Sequence, residues 1–493
     1  MSTQLPRLQS PAGRWIVLAT VLGSSVAMLD GTVVNIALPK IGEALDADVA
    51  GLQWTLSGYT LTLASFILLG GALGDRLGRR KVFVWGTIGF AIASVLCGLA
   101  VNIEMLVAAR VLQGVAGALL TPGSLALISA SIDPDDRGAA IGLWSGLGGV
   151  AGAIGPLLGG WLVEVAGWRS VFLINVPLAV TVVWVSVRHV PESYGATGDS
   201  THPHTQGRLD LLGALVVALA LGALTYGLIG STLVLSIAGV VLLGVFVVIE
   251  LRSDHPLAPP SLFASRIFTA ANLVTLAVYA ALGGVFFLLV LQLQLVAGYS
   301  PLKAGMATIP ITVLMLLLSA RAGRWAQHSG PRMPMTLGPL LSALGLVLML
   351  RIGRNASYLV DVLPGVVVFG LGLCALVAPL TGAVLGSVPT DEAGIASGVN
   401  NAVARTSQLL AVAALPGLAG ISGSAFTDPA RFDDGFRTAM LICIGLLVAG
   451  AALALVLIAK PAPRQPDSDG VDCAPHCGIT GPAVAPQQVS APR

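Results

Sequence analysis

A chain of 493 residues of which 55% are hydrophobic and only 10% charged is too apolar for water, because soluble domains carry about a quarter of their residues as charges. One bilayer span uses about 20 apolar residues, so a dozen or more spans fit this length and leave little for soluble domains. Lysine plus arginine exceed aspartate plus glutamate by only 26 to 24, which excludes a basic nucleic-acid binder.

In chain order, apolar runs bounded by charge, proline or glycine predict helices near 15–38, 52–73, 82–101, 104–126, 139–162 and 171–190, an N-terminal six-helix bundle within residues 1–190. The stretch 191–208, rich in Ser, Thr, His and Gly, reads as a linker. Runs at 209–229 and 231–251 lie too close together for anything but an inserted hairpin, placed within 209–251. Runs near 267–296, 302–322, 333–352, 357–385, 394–420 and 437–459 make a C-terminal six-helix bundle within 252–460, followed by a disordered tail over 461–493. The expected fold is an all-α polytopic membrane protein of 14 helices in a six-plus-two-plus-six order. Helices are preferred over a barrel because the runs are continuous and long and lack a strand's alternation. An even count puts both termini on one side, where 17 Lys and Arg fall against seven on the other, so termini, linker and tail are expected in the cytoplasm. The first run has no small-residue cleavage site and reads as a retained helix. Cys97, Cys374 and Cys443 lie in apolar runs as core residues, and the tail's Cys473 and Cys477, with His476 between them, match no common zinc module.

Gly71-Ala-Leu-Gly-Asp75-Arg76-Leu-Gly78-Arg79-Arg80 after the second run is echoed by Gly323-Arg-Trp-Ala-Gln327-His-Ser-Gly330-Pro-Arg332 after the tenth, at a constant offset of 252 residues. With the hairpin set aside, the echo indicates two repeated halves, on which transporters build alternating access.

Asp30 alone among the 24 acidic residues lies deep in an apolar run. Burial disfavours its charged form, which suits a group that takes up and releases a proton; the competing reading is a carboxylate satisfied by a neighbouring Arg or by a hydroxyl such as Thr32. Arg110 is a second costly charge, and Asp30 is its natural partner, either as a movable couple or as a static ion pair. Arg405 reads as an anchor reaching for the cytoplasmic interface. In the turn from Gly71 to Lys81, Asp75 is placed to dock on a helix N-terminus of the other half, where the dipole favours a carboxylate; a plain positive-inside anchor is the alternative. In the fifth run Gly148, Gly152, Gly155 and Gly159 fall near one face, with Pro156 and Gly160 beside them, permitting close helix contact and a bend. No phosphate-cradling Gly-Lys-Ser/Thr loop, HExxH or GxSxG is present, so neither an enzyme nor ATP as energy source is expected.

Together these stretches resemble the major facilitator superfamily along residues 14–460. Gly71 to Lys81 is similar to its loop between helices 2 and 3, Arg110 with Gln113 and Gly114 to its helix-4 motif, and Gly148 to Gly160 to its helix-5 antiporter motif. Leu29-Asp30-Gly-Thr-Val-Val-Asn35-Ile-Ala-Leu-Pro39 and Trp168-Arg-Ser-Val-Phe172-Leu-Ile-Asn175-Val-Pro177 resemble the fourteen-helix drug:proton antiporter branch of EmrB/QacA type. The resemblance implies an exporter in the cell membrane, functional as a monomer, that uses the proton gradient, without a cofactor or metal, to expel lipophilic or cationic compounds. It carries proton coupling to Asp30 and Arg110 and a latch role to Gly71, Asp75, Arg76, Gly78, Arg79 and Arg80. Leu302 to Ala320 holds no acid where some members with a preference for dications carry one, and Gln327 replaces Asp75 in the echo. Asn35, Trp54, Tyr59, Trp144, Gln292 and Gln294 are the expected cavity residues, with aromatics for flat or cationic ligands. A dedicated exporter of one endogenous metabolite and a non-transporting receptor on the same scaffold are the alternatives.

Overall fold

In hydrocarbon a backbone has to satisfy its own polar groups, so the apolar runs become helices and small polar residues set their ends. The computed structural model describes residues 5–194, 210–253, 256–389, 392–421 and 428–458. α1 (Pro11–Leu45) begins where the Ser10 hydroxyl accepts the Gly13 N–H, and α2 (Val49–Leu77) where the Asp48 carboxylate accepts that of Gly51. α3 (Arg79–Gly98), α4 (Ile103–Ser131, capped by Asn102), α5 (Arg137–Ala166) and α6 (Ser170–His189) complete the first half. The hairpin is α7 (Leu211–Ile229) and α8 (Leu233–Arg252). The second half comprises α9 (Arg266–Val296), α10 (Pro301–Ser329), α11 (Arg332–Met349), α12 (Tyr358–Leu385), α13 (Ala393–Leu418) and α14 (Pro429–Leu457). Most extend beyond the apolar run that marks them, α1 over Pro11–Leu45 where the run covers 15–38, because capped polar turns prolong the helix past the apolar stretch.

Among the described residues twelve of these helices are long and apolar enough to cross a bilayer, which makes the chain an all-helical multi-pass membrane protein. α5 and α13 stand outside that count, α13 because Asn400, Asn401, Arg405 and Gln408 interrupt it. The expected linker from 195 onward, and the tail with Cys473 and Cys477, lie outside the described residues.

In the first half α4 packs on α2 and α3, and α1 on α4, α5 and α6; in the second, α12 packs on α10 and α11, and α9 on α13 and α14. The halves meet along two seams, α5 against α10 and α2 against α13. α7 lies over the second seam, touching both α2 and α13, with Tyr226 tilted against Trp54 at 5.9 Å between ring centroids. α8 packs on α7, and only 11% of its apolar window is buried, so it presents a nearly complete apolar surface to lipid.

One end of the bundle holds the turns at 46–48, 167–169 and 297–300. The hydrogen bonds that cross between the halves among the described residues lie at this end: the Gln53 amide donates to the carbonyls of Val412 (2.7 Å) and Ala413 (3.1 Å), and Gln294 to that of Ile36 (3.0 Å). One apolar core runs across both halves here, from Val33–Ile41 of α1 and Leu52 of α2 to α9, α10 and α13, whereas a second core toward the other end is built from first-half residues alone. The halves are therefore joined at the 46–48 end.

Candidate functional site

Two charges in the middle of a bundle require partners, and α1 and α4 bring them together. Asp30 is 1% exposed and Arg110 fully buried, with Arg110 Nη1 2.5 Å from Asp30 Oδ2. Asp30 Oδ1 accepts two further bonds, from Gln113 Nε2 of α4 (2.9 Å) and Asn175 Nδ2 of α6 (3.0 Å). Both amides also donate to Ser94 Oγ of α3, at 2.8 and 3.1 Å. The guanidinium donates through Nε to the Thr55 carbonyl of α2 (3.0 Å) and through Nη1 to Gln113 Oε1 (2.6 Å), and it stacks 4.4 Å from the centre of the Tyr59 ring. Five helices thus converge on one buried carboxylate that has three charge-supporting donors.

The sequence marks Gln113 and Asn175 only through the family resemblance, and Ser94 not at all. An amide or hydroxyl in an apolar run is itself a costly signal, yet nothing in the run tells which neighbour it faces. Shortening Asn175 to Ala removes one of the three donors to Asp30 while leaving the ion pair; the expected result is transport reduced roughly 10- to 30-fold, one lost charge-assisted bond being worth about 1.5–2 kcal/mol, read as initial uptake rates in proteoliposomes.

The turn between α2 and α3 is tied to the segment that follows α6. Asp75, half exposed, pairs with Arg79 Nε at 2.7 Å instead of reaching the other half. Arg79 Nη1 donates to the Ala126 carbonyl, Arg80 Nη1 to that of Val190, and the backbone N–H of Arg80 to Glu192 Oε1 at 2.9 Å. Gly78 has φ +108°, and a Cβ there would lie 2.8 Å from the Glu192 carboxyl group. Gly78→Val is therefore expected to strain the turn and expel Glu192, lowering stability by about 1–3 kcal/mol, read as the melting temperature in detergent. Gly71 faces Pro122, and Arg76 lies exposed beside the turn.

In α5 the glycines meet different surfaces. Gly148 lies against Met28, Gly155 against Thr32 and Gly159 against Val33, all of α1, whereas Gly160 abuts the backbone of Pro301 and Leu302 in α10, and Gly152 touches nothing within 4 Å. Pro156 presents its carbonyl to Gly305 of α10.

The six expected cavity residues divide. Tyr59 is buried under Arg110, Trp54 packs on Tyr226, and Trp144 Nε1 donates to Ser24 Oγ at 2.9 Å, joining α5 to α1. Gln292, in the π-helical last turn of α9, is buried and donates to the Ile352 carbonyl (2.7 Å) and to Asp433 Oδ1, and Gln294 makes the cross-half bond to Ile36. Asn35 donates to the Gly31 carbonyl, and its Oδ1 has no partner among the described residues. Arg405, expected as an interfacial anchor, stands in mid-helix, twelve residues from Ala393 and thirteen from Leu418. Among the described residues no group of three metal-ligating side chains occurs.

Residues 20–412 match the family model of the Major Facilitator Superfamily. The chain is 35% identical over 453 residues to a protein named probable actinorhodin transporter from Streptomyces coelicolor, covering 86% of this chain and 75% of that one. It is 34% identical to the puromycin resistance protein pur8 of Streptomyces alboniger, covering 90% of this chain and 91% of that one, and 33% identical to the multidrug resistance protein Stp of Mycobacterium tuberculosis, covering 78% and 72%. Among solved structures, an auto-inhibited POT family peptide transporter superposes with a TM-score of 0.68 at 16% identity over 91% of this chain and 99% of that one. A bacterial homologue of the human lysosomal transporter Spinster, inward-facing and unoccupied, gives 0.66 at 19% identity over 91% and 97%.

Proposed function

The chain belongs to the major facilitator superfamily, and from that premise we propose that it is a proton-driven exporter of drug-like small molecules working by alternating access. The observation that carries the reading is the buried Asp30–Arg110 network: a carboxylate in the middle of a membrane bundle, held by donors from α4 and α6 that are released when it is protonated. The names of the relatives, an antibiotic transporter and resistance proteins, support efflux as the direction. In this proposal α5 and α13 are spans too, giving fourteen in a six-plus-two-plus-six order, with both termini cytoplasmic by the excess of positive residues on that side. The joined 46–48 end then faces the exterior, and the space between the halves is reached from the cytoplasm. The Gly71–Lys81 turn serves as the latch of the opposite state, its Asp75 held by Arg79 until the halves close on the cytoplasmic side. The unit of transport is the monomer, since each half of the site comes from one chain.

The test uses inside-out proteoliposomes with an acid lumen and a panel of neutral, cationic and anionic lipophilic dyes. At least one dye is expected to accumulate only while the gradient stands, and its entry should discharge the gradient. Accumulation indifferent to the gradient, or none for any dye, removes the reading.

A further inference from the structure

Among the described residues α13 carries one charge, that of Arg405, and it is positive. Arg405 lies about 18 Å from either end of α13 at 1.5 Å per residue, the depth at which a cation is most expensive. Its guanidinium makes a single long contact, Nη1 to Gln408 Oε1 at 3.5 Å, and no ion pair among the described residues. The residue is partly exposed, and its other donors make no hydrogen bond among the described residues. α13 packs on both α2 and α9, and Gly398, two turns before Arg405 on the same face, lies against Leu68 of α2, which turns this face toward the first half. One turn toward Ala393, Asn401 is exposed and donates only to the Ser397 carbonyl. The acid of the core, Asp30, is turned into the first half and held by Arg110, so it offers no countercharge here.

A guanidinium with idle, coplanar donors recognises carboxylates and ionised phenols through paired hydrogen bonds. We propose that Arg405 is the anchor of the substrate site and that the exporter, on the reading given above, takes amphipathic organic acids: an aromatic or polycyclic body bearing a carboxylate or an ionised phenol. The acidic group pairs with Arg405, and the flat body lies against the helices that flank it, α2 and α9. A neutral or cationic compound gains nothing from this charge, and a cation is repelled by it.

The test compares pyrenebutyrate with its neutral amide, pyrenebutanamide, in gradient-driven uptake by inside-out proteoliposomes of the full chain. Wild type is expected to take up the acid with a KM at least tenfold below that of the amide. Arg405→Gln should erase that preference by raising the KM for the acid while leaving amide uptake within threefold, and Arg405→Lys should restore the preference in part. If wild type moves the amide as readily as the acid, or if Arg405→Gln lowers both equally, Arg405 is no substrate anchor and the proposal fails. Dyes of the broader panel accumulating while the acid does not would sink this inference alone; no gradient-driven uptake of any compound would sink the exporter reading with it. Should Arg405→Gln not fold, the Lys variant decides, because loss of the paired geometry must raise the KM for the acid severalfold with the amide unchanged; an unchanged acid KM overturns the assignment.

Discussion

Asp30→Asn is expected to abolish uphill export while sparing downhill exchange of substrate across the same vesicles. The amide is nearly isosteric with the carboxylate but takes up no proton, so the gradient loses its point of entry. Asp30 accepts from Arg110 on one oxygen and from Gln113 and Asn175 on the other, and an amide cannot accept on both sides. With its oxygen toward Arg110, its NH2 faces the other two amides. Asn175 can turn to meet it, because its Oδ1 is buried without a partner among the described residues. What no rotation repairs is the charge of Arg110, fully buried and now uncompensated, a loss of about 3–5 kcal/mol for a broken buried pair. The variant should therefore melt lower than wild type, yet five converging helices keep Arg110 on the Thr55 carbonyl and over the Tyr59 ring. Gradient-driven uptake should drop roughly a hundredfold or more, to the leak of empty vesicles, as for a charge on which the energy coupling depends. Exchange of labelled for unlabelled substrate at equal pH is the control, expected within about tenfold of wild type. Uphill transport that survives in Asp30→Asn would place the coupling elsewhere.

Much of this site is legible in the sequence because charges in apolar runs are rare and costly. Asp30 and Arg110 stand out for that reason, and their pairing follows from each needing a partner. The polar groups around them are harder to see: Ser94 and Asn175 sit in apolar runs, and sequence alone does not say which neighbour each faces. The same blindness explains the aromatic and amide residues. Tyr59, Trp54 and Gln292 are conspicuous in composition, but whether each faces a cavity, the hairpin or a neighbouring loop depends on helix rotation, which sequence alone leaves free. The place of Arg405 is hard to read because Asn400, Asn401, Arg405 and Gln408 interrupt the apolar run of α13 and blur where its middle lies. Helix positions, by contrast, follow from length and hydropathy, since hydrocarbon permits a single chain little else.

The glycines of α5 make the second strong prediction, because the structure assigns them unequal tasks within one motif. At the end we assign to the exterior, α5 and α10 touch backbone to backbone: a Cβ on Gly160 would lie 2.6 Å from Leu302 Cα and from the Pro301 carbonyl oxygen, and one on Gly305 would collide with the Pro156 carbonyl. Each helix thus contributes a glycine to a reciprocal contact that no side chain can enter. Gly160→Leu forces the helices apart where they close. Overpacking of this kind costs about 1–3 kcal/mol, and because it falls on the externally closed state alone, it lowers that state's population by roughly 5- to 150-fold. Transport should fall in proportion while the protein still folds, since the externally open state has no such contact to lose. Gly152→Leu supplies the internal comparison: its Cβ meets nothing within 4 Å, so uptake should remain within about threefold of wild type. The population shift is read separately by placing a cysteine at Asn35 and measuring its reaction with an impermeant maleimide from the external side, with the tail cysteines Cys473 and Cys477 replaced by serine. Labelling should accelerate in Gly160→Leu and not in Gly152→Leu. Equal loss of transport in both variants would mean that the α5 glycines serve folding of the first half, and the α5–α10 seam would then be ordinary packing instead of the gate.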